Sequence, residues 1–294
     1  MSYVLAEKYR PKNLDEIVGQ DHVVQALRQM VQRGPPLPHM LFLGPPGCGK
    51  TSTAYALANE LKVPIVELNA SDERGITTVR DKVKRLSRTA GYRIILLDEA
   101  DRMTDEAQHA LRRIMERTHT TFILTANEDW RIIDPIKSRC VNFRFNKLSF
   151  EDMARIIVKI LKEEGVRVEA SQEVKEALTL LLDYVNGDLR RAINMLEALI
   201  AANKTLTVSA VKALIPPSLA LEALQFAVAG NWEMALKRLE DAYIQSKLEP
   251  QITVESLYKA IERLEVPLHV KLKLYEKLAE TERGIKVGAT PSSS

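Results

Sequence analysis

The sequence predicts an α/β protein, a parallel sheet carrying a phosphate-binding loop, followed by an all-helical back half. Three observations predict it. Five short apolar runs, at 39–43, 64–68, 94–97, 121–125 and 140–145, alternate with helix-patterned segments, as a sheet built from strand–helix–strand units requires. The first run opens directly into a glycine loop and then a helix. After Phe145 the strand-like runs stop. The 294 residues are enough for two or three domains, and 46% hydrophobic with 28% charged residues is a globular composition.

The first element carries the strongest motif. In "HMLFLGPPGCGKTSTAYALANEL" the apolar run His39–Leu43 leads into Gly44, Pro45, Pro46, Gly47, Cys48, Gly49, Lys50 and Thr51, with Ser52 next. This is a full G-x-x-x-x-G-K-[ST] match between a strand and a helix patterned by Ala54, Leu57, Ala58 and Leu61. Glycines let backbone N–H groups turn inward around phosphate oxygens, and the helix N-terminus adds partial positive charge. Lys50 reaches the β- and γ-phosphates, and Thr51 is a ligand for Mg²⁺.

After the second run comes "ERGITTVRDKVKRLSRTAGYR", read as a helix with an apolar stripe at Ile76, Val79, Val83, Leu86 and Ala90. Arg80, Lys84 and Arg88 repeat every fourth residue beside it as a basic ridge. From Asp72 to Arg93 there are seven basic and three acidic residues, a local excess of +4 against +3 for the whole chain. Such a ridge is either a solvated helix face or a footprint for a polyanion.

The third run, Ile94–Leu97, is continuously apolar, as a strand buried on both faces should be, and ends in Asp98-Glu99. Acids at the carboxyl end of a parallel strand sit where open α/β sheets bind ligands. Beside a phosphate loop, Asp98 is assigned to Mg²⁺ and Glu99 to the attacking water. The string "DEAD" at 98–101 also occurs in helicases, which need two such cores; the sequence has one phosphate loop. "TDEAQHALRRIMERT" reads as a helix capped by Thr104. The fourth run ends at Asn127, either a neutral sensor of phosphate or a turn former.

Arg139 precedes the fifth run, whereas Lys50 and Asp98 follow theirs. In a parallel sheet it therefore lies on the opposite edge from the nucleotide, about 20 Å away for a six-residue strand. Two readings stand: a structural arginine paired with Asp134 or a nearby acid, or a finger for another subunit's nucleotide.

Three amphipathic helices follow, at 150–163, 172–185 and 188–203, and a boundary is placed near 208, before the helix-breaking Pro216-Pro217. The expected domains are 1–147, 148–208 and 209–294. No apolar run approaches the roughly 20 residues of a membrane helix. The two cysteines, Cys48 and Cys140, and five scattered histidines form no metal-binding spacing, and with no secretory signal they fit a reducing compartment.

The strings "EKYRPKNLDEIVGQ", "GPPGCGKT", "LNASDERGI", "LLDEAD", "TAN", "SRC" and "GDLRRAINML" occur in this order over residues 5–290. Together they resemble the small subunits of replication factor C, the sliding-clamp loader of archaea and eukaryotes. The resemblance implies an AAA+ ATPase core, a helical lid and an all-helical collar that forms a ring. It implies ATP and Mg²⁺ as ligands. The partners implied are other small subunits, a large subunit, the sliding clamp and primer–template DNA, with no membrane. The compartment implied is the cytoplasm of an archaeon or the nucleus of a eukaryote. By the same resemblance Arg139 reaches a neighbour's ATP, Asn127 senses the γ-phosphate, and Arg190, ahead of Arg191, is a second sensor from the lid. Arg10, Pro11 and Val18 border the adenine, and the ridge of Arg80, Lys84 and Arg88 faces DNA. A branch-migration ATPase or a scaffold subunit with little turnover is the alternative. The family's collar runs on through another helix where this sequence has "GATPSSS" from Gly288, a composition expected to be disordered.

Overall fold

The computed structural model describes residues 4–70, 83, 85–86, 91–166, 171–202, 205–215, 218–245 and 250–288. Two compact units emerge, Met1–Leu214 and Ile215–Ser294.

The first unit is organised by a five-stranded parallel sheet of β1 (Met40–Leu43), β2 (Ile65–Asn69), β3 (Ile94–Asp98), β4 (Thr121–Ala126) and β5 (Val141–Arg144) in the order β2-β3-β4-β1-β5. The three inner strands are almost wholly buried, which is why they read as unbroken apolar runs. Side chains alternate between two cores. Leu41, Leu43, Ile95, Leu97, Phe122 and Leu124 face one layer of helices, and Met40, Phe42, Ile94, Leu96 and Ile123 face the other. Of the helix expected over 76–90, the described residues include Val83 and Leu86, which join the first core.

The register fixes the functional rim. Leu43 lies opposite Ala126, Leu97 opposite Leu124 and Asn69 opposite Asp98. The carboxyl ends of β1, β3 and β4 thus deliver the phosphate loop, Asp98-Glu99 and Asn127 to one edge. Strand β1 lies between β4 and β5, where the order of the strands reverses, and ligands bind in the crevice at such points.

After the short α1 (Leu5–Lys8), which packs on the lid, the helices of the sheet layer are α2 (Asp21–Arg33), α3 (Lys50–Leu61), α4 (Asp105–Met115) and α5 (Asp134–Lys137). Thr104 caps α4 by accepting the Ala107 N–H at 3.3 Å. Three helices then form the lid, α6 (Phe150–Glu163), α7 (Gln172–Val185) and α8 (Leu189–Ala201). Each begins on a side-chain cap, from Ser149, Ser171 and Asp188 respectively. The short α9 (Val208–Leu214) packs on α7 and belongs to the first unit.

In the second unit α10 (Leu219–Val228) packs on α11 (Trp232–Gln245) and α12 (Pro250–Arg263), and α12 packs on α13 (Leu268–Gly288). Its small core is Val254, Ile261 and Leu278, flanked by Tyr258 stacked on Tyr275 with ring centroids 5.9 Å apart. Helices α9 and α10 end and begin on either side of Pro216-Pro217, which lie outside the described residues, as do 289–294. Among the described residues no single helix is long and apolar enough to cross a membrane.

Candidate nucleotide site

Gly47 has φ +69°, and a Cβ there would lie 1.9 Å from Oδ1 of Asp188. Only glycine lets the phosphate loop approach the lid so closely. Lys50 is the first residue of α3 and is 8% exposed. Its ammonium donates to the carbonyls of Gly44 (2.7 Å) and Pro45 (2.8 Å) and to Oδ1 of Asn127 (2.9 Å). Burial holds the Lys50 pKa below the ordinary lysine value, and the nearby Asp98 and Asp101 carboxylates oppose that shift.

One oxygen of Asp98 gathers two hydroxyls, Thr51 Oγ1 at 2.9 Å and Thr125 Oγ1 at 2.6 Å. Thr125 in turn accepts the backbone N–H of Glu99 at 3.1 Å. Glu99 has a left-handed backbone, φ +56°, a conformation that costs a non-glycine residue about 1–3 kcal/mol and gathers at functional sites. Its carboxylate pairs with Arg102 Nε at 3.1 Å. Asp101, only 7% exposed, accepts the Asn127 N–H at 3.3 Å and so holds the residue whose side chain meets Lys50.

These groups line a cleft of about 440 Å³, large enough for a nucleotide. Lys50, Thr51, Asp98, Glu99 and Asn127 are among its polar lining, and Arg10, Pro11, Ile17 and Val18 line it too. The lid contributes Ile156, Ile160, Arg190 and Ile193.

Residues 40–148 match the family model of the ATPase family associated with various cellular activities (AAA). The replication factor C small subunit of Archaeoglobus fulgidus is 39% identical over 301 residues, covering 97% of this chain and 92% of that protein. The replication factor C small subunit of Staphylothermus marinus is 42% identical over 283 residues, covering 92% and 84%. The chain belongs to the replication factor C small-subunit family. It is an ATPase subunit of a DNA clamp loader and works in a complex with other subunits. Among solved structures, the Thermotoga maritima RuvB Holliday junction branch migration motor superimposes with a TM-score of 0.61 at 20% identity, covering 75% of this chain and 79% of that one. At that identity the likeness is one of fold alone.

In this replication factor C subunit the cleft brings together Pro46, Gly47, Cys48, Gly49, Lys50, Thr51, Ser52, Asp98, Glu99 and Asn127, with Arg10, Pro11, Val18 and Arg190 around them. Gly44 and Pro45 stand behind, turning carbonyls to Lys50. The two lid arginines differ. Arg190 lines the cleft, whereas the Arg191 guanidinium stacks over Tyr184 at 4.4 Å and bonds its hydroxyl. Arg80, Lys84 and Arg88 lie outside the described residues.

Arg139 is not in the cleft. It precedes β5, whose first residue, Val141, lies opposite Met40 at the amino edge of the sheet. Strand β5 has four residues rather than six, so it spans about 13 Å. The Arg139 guanidinium bonds the Pro135 carbonyl at 2.9 Å and pairs with Glu116; the acid is not Asp134, whose side chain lies 3.8 Å from Lys137.

Two glutamines join the site. Gln20, fully buried, bonds Asn146 in both directions (2.7 and 2.9 Å) and reaches the Cys48 carbonyl at 3.4 Å, tying the phosphate loop to the chain entering the lid. Gln108 on α4, 1% exposed, donates to the carbonyls of Arg131 (2.8 Å) and Met103 (3.4 Å) and accepts the Ile133 N–H (3.0 Å). It fixes the segment between Asn127 and the Arg139 turn. Gln108→Ala leaves the partly buried backbone groups of Arg131 and Ile133 without this partner. The expected loss is about 2–3 kcal/mol of stability, read as a lower denaturant midpoint; an unchanged midpoint would refute the role.

Proposed function

We propose that this subunit is an ATP-driven switch whose nucleotide sits at a seam between two protomers. The observation that carries the reading is the split of the machinery: one cleft holds Lys50, Thr51, Asp98, Glu99 and Asn127, while Arg139 stands exposed on the other edge of the same sheet. A neighbouring subunit then adds its Arg139 to each cleft.

The oxygen donors fit Mg²⁺. Among the described residues no group of three His, Cys, Asp or Glu side chains is placed to hold a metal. Mg²⁺ needs none, because it takes one or two protein oxygens and completes its shell with phosphate and water. Thr51 and Asp98 would hold it, and it would offset charge on the β- and γ-phosphates.

The protein groups divide the remaining work. The Lys50 ammonium exchanges its two backbone carbonyls for phosphate oxygens. Glu99, freed from Arg102, orients the attacking water and accepts its proton as the new P–O bond forms and the bond to the β-phosphate oxygen breaks. Asn127 contacts the γ-phosphate, and Arg190 carries the state of the nucleotide to the lid. ATP favours the assembly that holds an open clamp. Primer–template DNA, met along Arg80, Lys84 and Arg88, completes the sites, and hydrolysis releases the clamp. Contacts of that kind are to the phosphate backbone and independent of sequence.

The test measures ATP hydrolysis by the subunit with its large-subunit partner, alone and with clamp and primer–template DNA. A several-fold stimulation that needs both is expected. Stimulation by DNA alone, accompanied by strand displacement, would favour a branch-migration motor instead.

A further inference from the structure

Residues 8–14 cross from the lid to the sheet layer, and their attachments change sides within one step. Lys8 Nζ and the Tyr9 hydroxyl both reach Oε1 of Glu164, at 2.6 and 2.7 Å. Glu164 is the C-cap residue of lid helix α6, and α1 leans on lid helix α8. Arg10 keeps an ion pair to Glu7 of α1, and from it onward further partners belong to the ATPase core. The Arg10 guanidinium stacks 4.8 Å over Tyr55 of α3, Asn59 donates to the Lys12 carbonyl at 3.1 Å, and the Leu14 N–H donates to Glu60 at 2.8 Å. Tyr9, Arg10 and Pro11 line the cleft from this strap. Ile156 and Ile160 of α6 line the same cleft; four residues apart, they share one face of the helix that Glu164 caps.

Parting of these two walls widens the way out for a ligand between strap and lid. Besides the packing of α1 on α8, the strap is fastened to the lid by one carboxylate oxygen taking an ammonium and a phenol, both charge-assisted bonds. Lys8 and Tyr9 hold the Glu164 carboxyl below the usual carboxylate range, so it stays ionised and able to accept. Nothing in the phosphate chemistry uses these three side chains.

We infer that Tyr9 and Glu164 are positioning residues that latch the strap to the lid and set how fast nucleotide leaves the cleft. The inference rests on the reading that this cleft holds ATP and ADP. Because the latch sits near the surface, its loss changes local opening rather than global stability.

The test follows release of a fluorescent ADP analogue from the full chain by stopped flow, for wild type, Tyr9→Phe, Glu164→Ala and the double variant. Each single substitution is expected to speed release about 3- to 10-fold. The double variant should be no faster than the faster single, because both remove the same contact. For Glu164→Ala, whose side chain is not among those lining the cleft, the rate of a single turnover at saturating ATP should stay at the wild-type value. Unchanged release, effects that multiply, or an effect of Tyr9→Phe without one of Glu164→Ala would overturn the latch while leaving the nucleotide site intact. Failure of the wild-type chain to bind the analogue would overturn the nucleotide reading and the latch with it.

Discussion

Lys50→Ala is expected to weaken ATP binding about a hundredfold and to reduce turnover below detection. The argument starts from what the ammonium does now. It is buried, and all three of its N–H bonds point at oxygens: two loop carbonyls and the Asn127 side chain. A buried ammonium needs such partners, and carbonyls at the mouth of a phosphate loop are partners a phosphate can replace. Each charge-assisted bond to the nucleotide is worth about 1.5–3 kcal/mol. Losing even one strong contact of this kind therefore approaches two factors of ten in affinity. Alanine also removes the tie to Asn127, so the sensor loses its orientation along with the nucleotide. Titration of a fluorescent ATP analogue reads the first effect and phosphate release the second. Wild-type affinity in the variant would remove Lys50 from the cradle.

What made this site legible beforehand was burial with periodicity. The inner strands lie within a residue of the runs expected for them, 40–43 for 39–43 and 94–98 for 94–97, because a strand covered on both faces has no polar side to interrupt it. The lid helices 150–163 and 172–185 lie where their amphipathic stripes put them, each starting on a serine cap. Edge strand β5 was read two residues too long, since Cys140 and Phe145 are apolar but fall outside the ladder with β1. Helix α9 is held by α7, a tertiary contact that composition does not announce. The same limit hid Gln20, Gln108 and Glu164. Each is a single polar residue whose partner is distant in sequence: Asn146, 126 residues from Gln20; Arg131, 23 from Gln108; and Tyr9, 155 from Glu164. No local pattern marks them. Thr125 was visible as the one hydroxyl in "FILTAN", but its bond to Asp98 depends on β3 and β4 being neighbours.

Arg139→Ala separates binding from chemistry, and its expected result is a loss of turnover of about a thousandfold with ATP affinity nearly unchanged. An arginine supplied in trans contributes on this scale because it meets charge that develops only as the γ-phosphoryl group transfers. Its contacts within the chain are modest by comparison. Arg139 and Glu116 are each about a third exposed, and such ion pairs add little to stability, so the variant should fold and bind nucleotide normally. Glu116 also pairs with Arg112, which gives it a second partner once Arg139 is withdrawn toward a neighbour or removed. The decisive experiment mixes Arg139→Ala with Glu99→Gln. Alone, each variant lacks one half of every site. In mixed assemblies, a cleft formed by Glu99 of the first and Arg139 of the second is complete, so activity should reappear and depend on the mixing ratio. Mixtures no more active than their parents, or a wild-type chain fully active as a monomer, would show that the guanidinium at 139 serves only its own subunit.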